Sequence, residues 1–175
     1  MMTRLLLLLV LAVAGLLAHG STQPEAFRLR RAVTVRATRT EVFHLVDDLR
    51  AWRRWCPWVR FEPGTTVEIA GPANGRGAAC TWDGGAAVGR GRLEITESDP
   101  PSRLVARVER ASPFEPSFLA ELTFETRGDD CWVTCTVRGS YPFPYRLWST
   151  VSDVDAAMVR DIEQGLANLG DAVGR

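Results

Sequence analysis

From Thr65 to Gly139 apolar and polar residues alternate with a period of two, and that run dictates most of what the chain can become. Successive side chains on a strand point to opposite faces, so such a run specifies a sheet. Val67 and Ile69 mark one strand, and Ala78, Cys80 and Trp82 mark the next, closed by the turn Asp83-Gly84-Gly85. Leu93, Ile95 and Glu97 share a face of a longer strand that ends before Pro100-Pro101. Leu104, Ala106 and Val108 follow, then Phe118, Ala120, Leu122 and Phe124, with Glu121, Thr123 and Glu125 between them. Residues Gly128 to Asp130 turn the chain into Cys131, Val133, Cys135 and Val137. Alternation this clean implies an antiparallel sheet with one solvated face.

The flanks are different. Phe27 to Ala37 reads as a first strand with Phe27, Leu29, Val33 and Val35 on one side. Arg31 interrupts that side, which predicts a bulge or an open edge there. Thr38 and Glu41 form a capping-box signature, followed by a helix with Val42, Leu45, Val46 and Leu49 on one face. A second short helix holds Trp52 and Trp55 and stops at Pro57, because a proline pushes its predecessor out of the helical region. At the other end Met158, Ile162, Leu166 and Leu169 recur at helical spacing, with Ser152 or Asp153 as cap. The expected order is strand, two helices, six strands, long helix: one α+β domain over 24–175.

Residues 1–20 stand apart. Arg4 is followed by the charge-free run Leu5 to Ala18 and then by small residues. That pattern is a secretory signal peptide, or an N-terminal membrane anchor if the segment stays in place. The domain is then expected to be membrane-associated or exported, on the extracytoplasmic side.

Composition narrows the chemistry. The formal net charge is +0, so nothing draws in nucleic acid by bulk electrostatics. All 21 basic residues are arginine, which excludes a Schiff-base or phosphate-loop lysine. The domain has a single histidine, His44, on the polar side of the first helix, so a histidine-rich metal site cannot be built. Cys131 and Cys135 lie about 13 Å apart on one strand and cannot pair or share a metal. A bridge using Cys56 or Cys80 is open in an oxidising compartment; otherwise the cysteines are small buried hydrophobes. No cofactor and no metal are expected.

At this point the chain resembles the START-like, polyketide cyclase/dehydrase and lipid-transport superfamily. The resemblance runs from Phe27 to Leu169. It is carried by Glu41-Val42-Phe43, Trp55-Cys56-Pro57-Trp58, Gly75-Arg76-Gly77, Ile95-Thr96-Glu97-Ser98 ahead of Pro100-Pro101, and Asp161-Ile162-Glu163 with Gly165-Leu166. It implies a helix-grip fold: a curved, seven-stranded antiparallel sheet wrapping the long C-terminal helix, with a cavity for a hydrophobic ligand between them. The superfamily has no universal catalytic motif, so no catalytic residue is carried over.

The expected pocket wall is Cys80, Trp82, Leu93, Ile95, Ala106, Val108, Phe118, Ala120, Leu122, Val133 and Cys135 on the sheet, facing Met158 and Ile162 on the helix. Several of these are small, which either lets helix and sheet touch or leaves space. Glu97 is the one polar exception on that face; it would meet a ligand, act as a base, or take loop hydrogen bonds near the strand end. Trp52, Trp55 and Trp58, interleaved with arginines, suit an entrance lid or a membrane interface, or else clamp the short helices onto the sheet. Phe114, Tyr141 and Phe143 are the other aromatic rims. Three functions fit: a binding module for a lipid-like or polycyclic molecule, a cyclase or dehydratase using the same pocket, and an interaction protein with a filled core.

Overall fold

The computed structural model describes residues 25–57, 64–85, 89–111, 117–142 and 154–173, together with scattered helical positions between Leu6 and Thr22. Seven strands follow the alternating pattern: β1 (Ala26–Val35), β2 (Thr66–Ala70), β3 (Ala79–Asp83), β4 (Arg90–Asp99), β5 (Arg103–Arg110), β6 (Phe118–Arg127) and β7 (Asp130–Ser140). They form one antiparallel sheet in the order β1-β7-β6-β5-β4-β3-β2, so the first and last strands pair and β1 and β2 are the edges. Between β1 and β2 lie α1 (Arg39–Asp47), a 3-10 turn (Leu49–Ala51) and α2 (Trp52–Trp55); α3 (Val154–Val173) follows β7. The expected cap residues Ser152 and Asp153 lie outside the described residues.

The β1–β7 register runs unbroken from Ala26↔Ser140 to Val35↔Cys131, so Arg31 causes no bulge. It is tolerated because β1 is an edge: the side chain leaves the sheet, and its Nε donates to Glu163 Oε1 of α3 at 2.7 Å. The bulge lies in β4. Ile95 pairs with Ala106 but Glu97 pairs with Val105, leaving Thr96 as the extra residue. Beyond it every side chain changes face. Glu97 therefore points outward and Ser98 inward.

The capping box is complete: Thr38 Oγ1 accepts from the Glu41 N–H, and Glu41 Oε2 accepts from the Thr38 N–H at 2.9 Å. The Thr38 hydroxyl, which donates to Glu41 Oε2 at 2.6 Å, and then the Thr38 N–H hold the Glu41 carboxyl below its ordinary pKa. The helix they start buries Val42, Phe43 and Val46, while Leu45 is only half-buried. Phe43 meets Phe124 of β6 edge-on, with centroids 5.5 Å apart. The outer face of the sheet is a carpet of ion pairs, centred on Arg103, whose guanidinium donates to Glu121 at 2.6 Å and to Glu97 at 2.5 Å.

α3 closes the inner face unevenly. Ile162, Leu166, Leu169 and Ala172 are buried, whereas the described residues from Ala156 to Asp161 include no buried side chain. Its main packing partners are β1, β7, α1 and α2. Its second half is pinned: Arg54 Nη2 donates to Ala172 O at 2.6 Å and Asn168 Nδ2 to Trp55 O at 3.2 Å. Gly165 makes room for α2's exit, since a Cβ there would lie 3.0 Å from Pro57 Cδ.

Candidate functional site

The inner face of the sheet is apolar, row upon row. Cys80, Leu93, Val108 and Phe118 line up across β3 to β6, and the row continues at Gly139 of β7. The next row holds Ile95, Ala106, Ala120 and Val137, and another holds Leu104, Leu122 and Cys135. All the sheet positions expected to form the pocket, Val133 included, are buried in one continuous core. On the helix Ile162 is buried and Met158 half-buried. Two of the small positions are covered by neighbouring rings. Phe27 lies over Gly139, with Cζ 2.8 Å from where a Cβ would stand, and the Trp82 indole lies over Gly91.

A void bounded by described residues lies between this face and the helices. Leu122 and Cys135 form its floor, Ile162, Gly165 and Leu166 its helical wall, and Trp55, Cys56 and Pro57 the opposite wall, with Asp161 beside it. Its volume is ≈ 10 Å³. That is room for about one water, far below the few hundred Å³ of a drug-sized pocket. Of the residues expected to line a cavity, only Leu122, Cys135 and Ile162 reach it, joined by Trp55 from the expected lid.

Several expectations need correction. Glu97 is not on the inner face. The Thr96 bulge turns it out to Arg103, whose hydrogen bond and charge lower the Glu97 pKa. Trp52 is not a lid residue: it is 1% exposed, and its Nε1–H donates to Val46 O at 2.6 Å. Trp55 is 4% exposed and tilted against Trp52 at 4.9 Å, so both clamp the short helices inside the core. Tyr141 stacks on Phe27 at 4.5 Å and belongs to the core. Trp58, Phe114 and Phe143 lie outside the described residues. His44 is exposed, on the polar side of α1.

Among the described residues the titratable groups buried in the core are thiols and the Tyr141 phenol, with one carboxylate as the exception. Burial pushes the Cys135 thiol up to about 12, and it raises Cys80 and Cys131 as well. None of the four cysteines forms a disulfide, and all are buried. The exception is Asp47, 6% exposed, whose Oδ1 accepts from Ser98 Oγ–H at 2.9 Å and whose carbonyl accepts from Gly75 N–H. This pair ties α1 to the bulge and to the β2–β3 turn; neither residue borders the void. The pair follows from the bulge, and period-two reading gives no signal for it. Among the described residues no cluster of metal-ligating side chains occurs.

Seven antiparallel strands gripping a C-terminal helix, with two short helices inserted after β1, define a helix-grip protein. The chain belongs to the polyketide cyclase / dehydrase and lipid transport family, whose model matches residues 26–174. No curated protein matches it. A solution structure from Thermobifida fusca is 28% identical, with a TM-score of 0.59 over 85% of this chain and 93% of that one. A crystal structure from Thermus thermophilus gives 0.60 at 19% identity, covering 84% and 97%. Major latex-like protein 151 of Panax ginseng gives 0.57 at 13% identity, covering 85% and 97%. The last two show a shared fold alone.

Proposed function

We propose that the domain is a binding module for a hydrophobic small molecule. The observation that carries this reading is the uneven seating of α3. Among its described residues the buried side chains, Ile162, Leu166, Leu169 and Ala172, all lie beyond Asp161, and the inner face of β3 to β5 is apolar yet lies away from the helix's main contacts. A ligand seated on that face would leave Leu166 and Leu169 in place. The fold is built for such use in the family to which the chain belongs. A lipid-like or polycyclic ligand suits a wall of leucine, valine, phenylalanine and thiol, since burial of apolar surface is the dominant force available there. The cyclase or dehydratase alternative drew on Glu97 as its acid–base group, and Glu97 faces the other side of the sheet.

A filled-core interaction protein is the rival, and the void of ≈ 10 Å³ favours it. Native mass spectrometry of the domain purified from its host, paired with Nile red uptake, separates the two. A bound apolar mass and saturable dye uptake support the binding module. A bare polypeptide mass with no dye uptake overturns it.

The leader directs this domain to the membrane or across it. Its support is the charge-free run Leu5 to Ala18 and the exposure of Leu6, Leu7, Leu8, Val10 and Leu11, each more than half open to solvent. Among the described residues no helix is long and apolar enough to cross a membrane.

A further inference from the structure

We infer that the indole N–H of Trp55 is the polar anchor of this pocket, and that its ligand is an apolar molecule bearing a neutral carbonyl or hydroxyl oxygen. The inference rests on the hydrophobic-ligand reading above and narrows it. Among the described residues, Trp55 Nε1 is the only buried side-chain nitrogen or oxygen without a hydrogen-bond partner. Buried donors are nearly always satisfied, so an orphan calls for a cause. The adjacent Trp52 shows that this part of the chain can satisfy an indole internally, because its own Nε1–H reaches Val46 O at 2.6 Å. Trp55 has no such acceptor, and it is one of the residues that wall the void.

The size and lining of that void set the chemistry. At ≈ 10 Å³ it accepts one oxygen-sized group. Its other walls are the carbon and sulfur of Leu122, Cys135, Ile162, Leu166 and Pro57. No basic residue borders it among the described residues, and its one charged neighbour, Asp161, is acidic. A carboxylate entering here would lose its hydration and find no cation, which is strongly unfavourable. A neutral oxygen loses far less and gains the waiting donor. A hydrocarbon lacking an acceptor leaves the indole unsatisfied, and a site built around a buried polar group rejects such an analogue. The rest of the ligand then extends along the inner face towards the half-buried Met158.

Three matched probes test this: 2-acetylnaphthalene, 2-ethylnaphthalene and 2-naphthoate, titrated against the full chain and against Trp55→Phe. The expected result is that the ketone binds wild type about tenfold more tightly than the ethyl compound and that the carboxylate binds worst. In Trp55→Phe the ketone preference disappears. Wild type supplies a second readout in case the variant folds poorly. One of the six tryptophan indole N–H resonances shifts downfield with the ketone and not with the ethyl compound. Equal binding of ketone and ethyl probes by wild type, a preference that survives Trp55→Phe, or tightest binding of the carboxylate overturns the anchor while leaving hydrophobic binding intact. Binding of no probe by wild type overturns both.

Discussion

Cys135 shows how burial alone sets the behaviour of a residue. Its thiol sits on the floor of the void between β7 and α3, and loss of solvent raises its pKa from 9.0 to about 12. The folded state therefore prefers the neutral thiol more strongly than the unfolded state does. A folded pKa above the unfolded one gives stability that is fully present below the unfolded value and is lost as pH rises through the folded one. Between pH 9 and 12 this thiol should steepen the loss of stability by about 1.4 kcal/mol per pH unit. Urea melts of wild type and Cys135→Ala across that range test it, the variant showing the shallower decline. Parallel slopes would mean that the thiol is solvated. Glu97 carries the complementary lesson. Its place in the alternation with Leu93 and Ile95 marks it as an inward residue, and a single extra residue at Thr96 moves it to the outside. Nothing in a period-two pattern announces a bulge, because Thr is at home on either face. Asp47 and Ser98 were hidden for the same reason: the bulge that expels Glu97 brings Ser98 to Asp47.

At the scale of elements the sequence was legible wherever a side-chain pattern has one physical cause. Alternation located the strands, the Thr38–Glu41 box started α1, and Pro57 ended α2. What a pattern cannot show is how far along an element its partner extends. The spacing of Met158, Ile162, Leu166 and Leu169 makes one apolar stripe, yet Met158 is half-buried and Leu169 is 0% exposed. This contrast gives a prediction. Leu169→Ala removes a fully packed side chain and should cost about 2–5 kcal/mol of stability. Met158→Ala should cost under about 1 kcal/mol, and it should weaken Nile red uptake while Leu169→Ala, measured below its unfolding transition, keeps it. Equal destabilisation by the two changes would show that α3 is packed along its whole length and has no part free to lift. The short helices were harder to place. From sequence Trp52 and Trp55 read as lid or clamp, with the clamp favoured, and their burial against each other and the packing of α2 on α3 agree with the clamp.

For the molecule as a whole, two predictions remain, one about where it goes and one about what it encloses. Full-length chain should fractionate with membranes or be exported, and chain beginning at Ser21 should stay in the cytosol; full-length protein wholly in the soluble cytosol defeats the leader reading. The enclosed volume is the deeper question. The small residues Ala106, Ala120 and Cys135 on three different strands, with Ala78 just ahead of β3, raised the expectation of open space under α3. Phe27 over Gly139 and Pro57 against Gly165 show instead that neighbouring rings take up part of it, leaving a void of ≈ 10 Å³. A ligand of ordinary size needs more room than this void gives, and the stretch of α3 before Ile162, with no buried side chain among its described residues, is the part that would yield. Ala120 lies at the middle of the inner face, between Ala106 and Val137, and is 0% exposed. Ala120→Trp places an indole where the ligand would go. Because Ala120 is fully buried in the core, the change should overpack it and cost about 1–3 kcal/mol, not insert freely. If the first half of α3 can lift, the indole settles under it, the protein still folds cooperatively, and Nile red uptake falls from that of wild type to background. Chemical denaturation and dye titration on the same two proteins give the answer. A wild type that binds no dye, with a variant that no longer folds, would mean that sheet and helix form a closed core and that this member of the family has no ligand to hold.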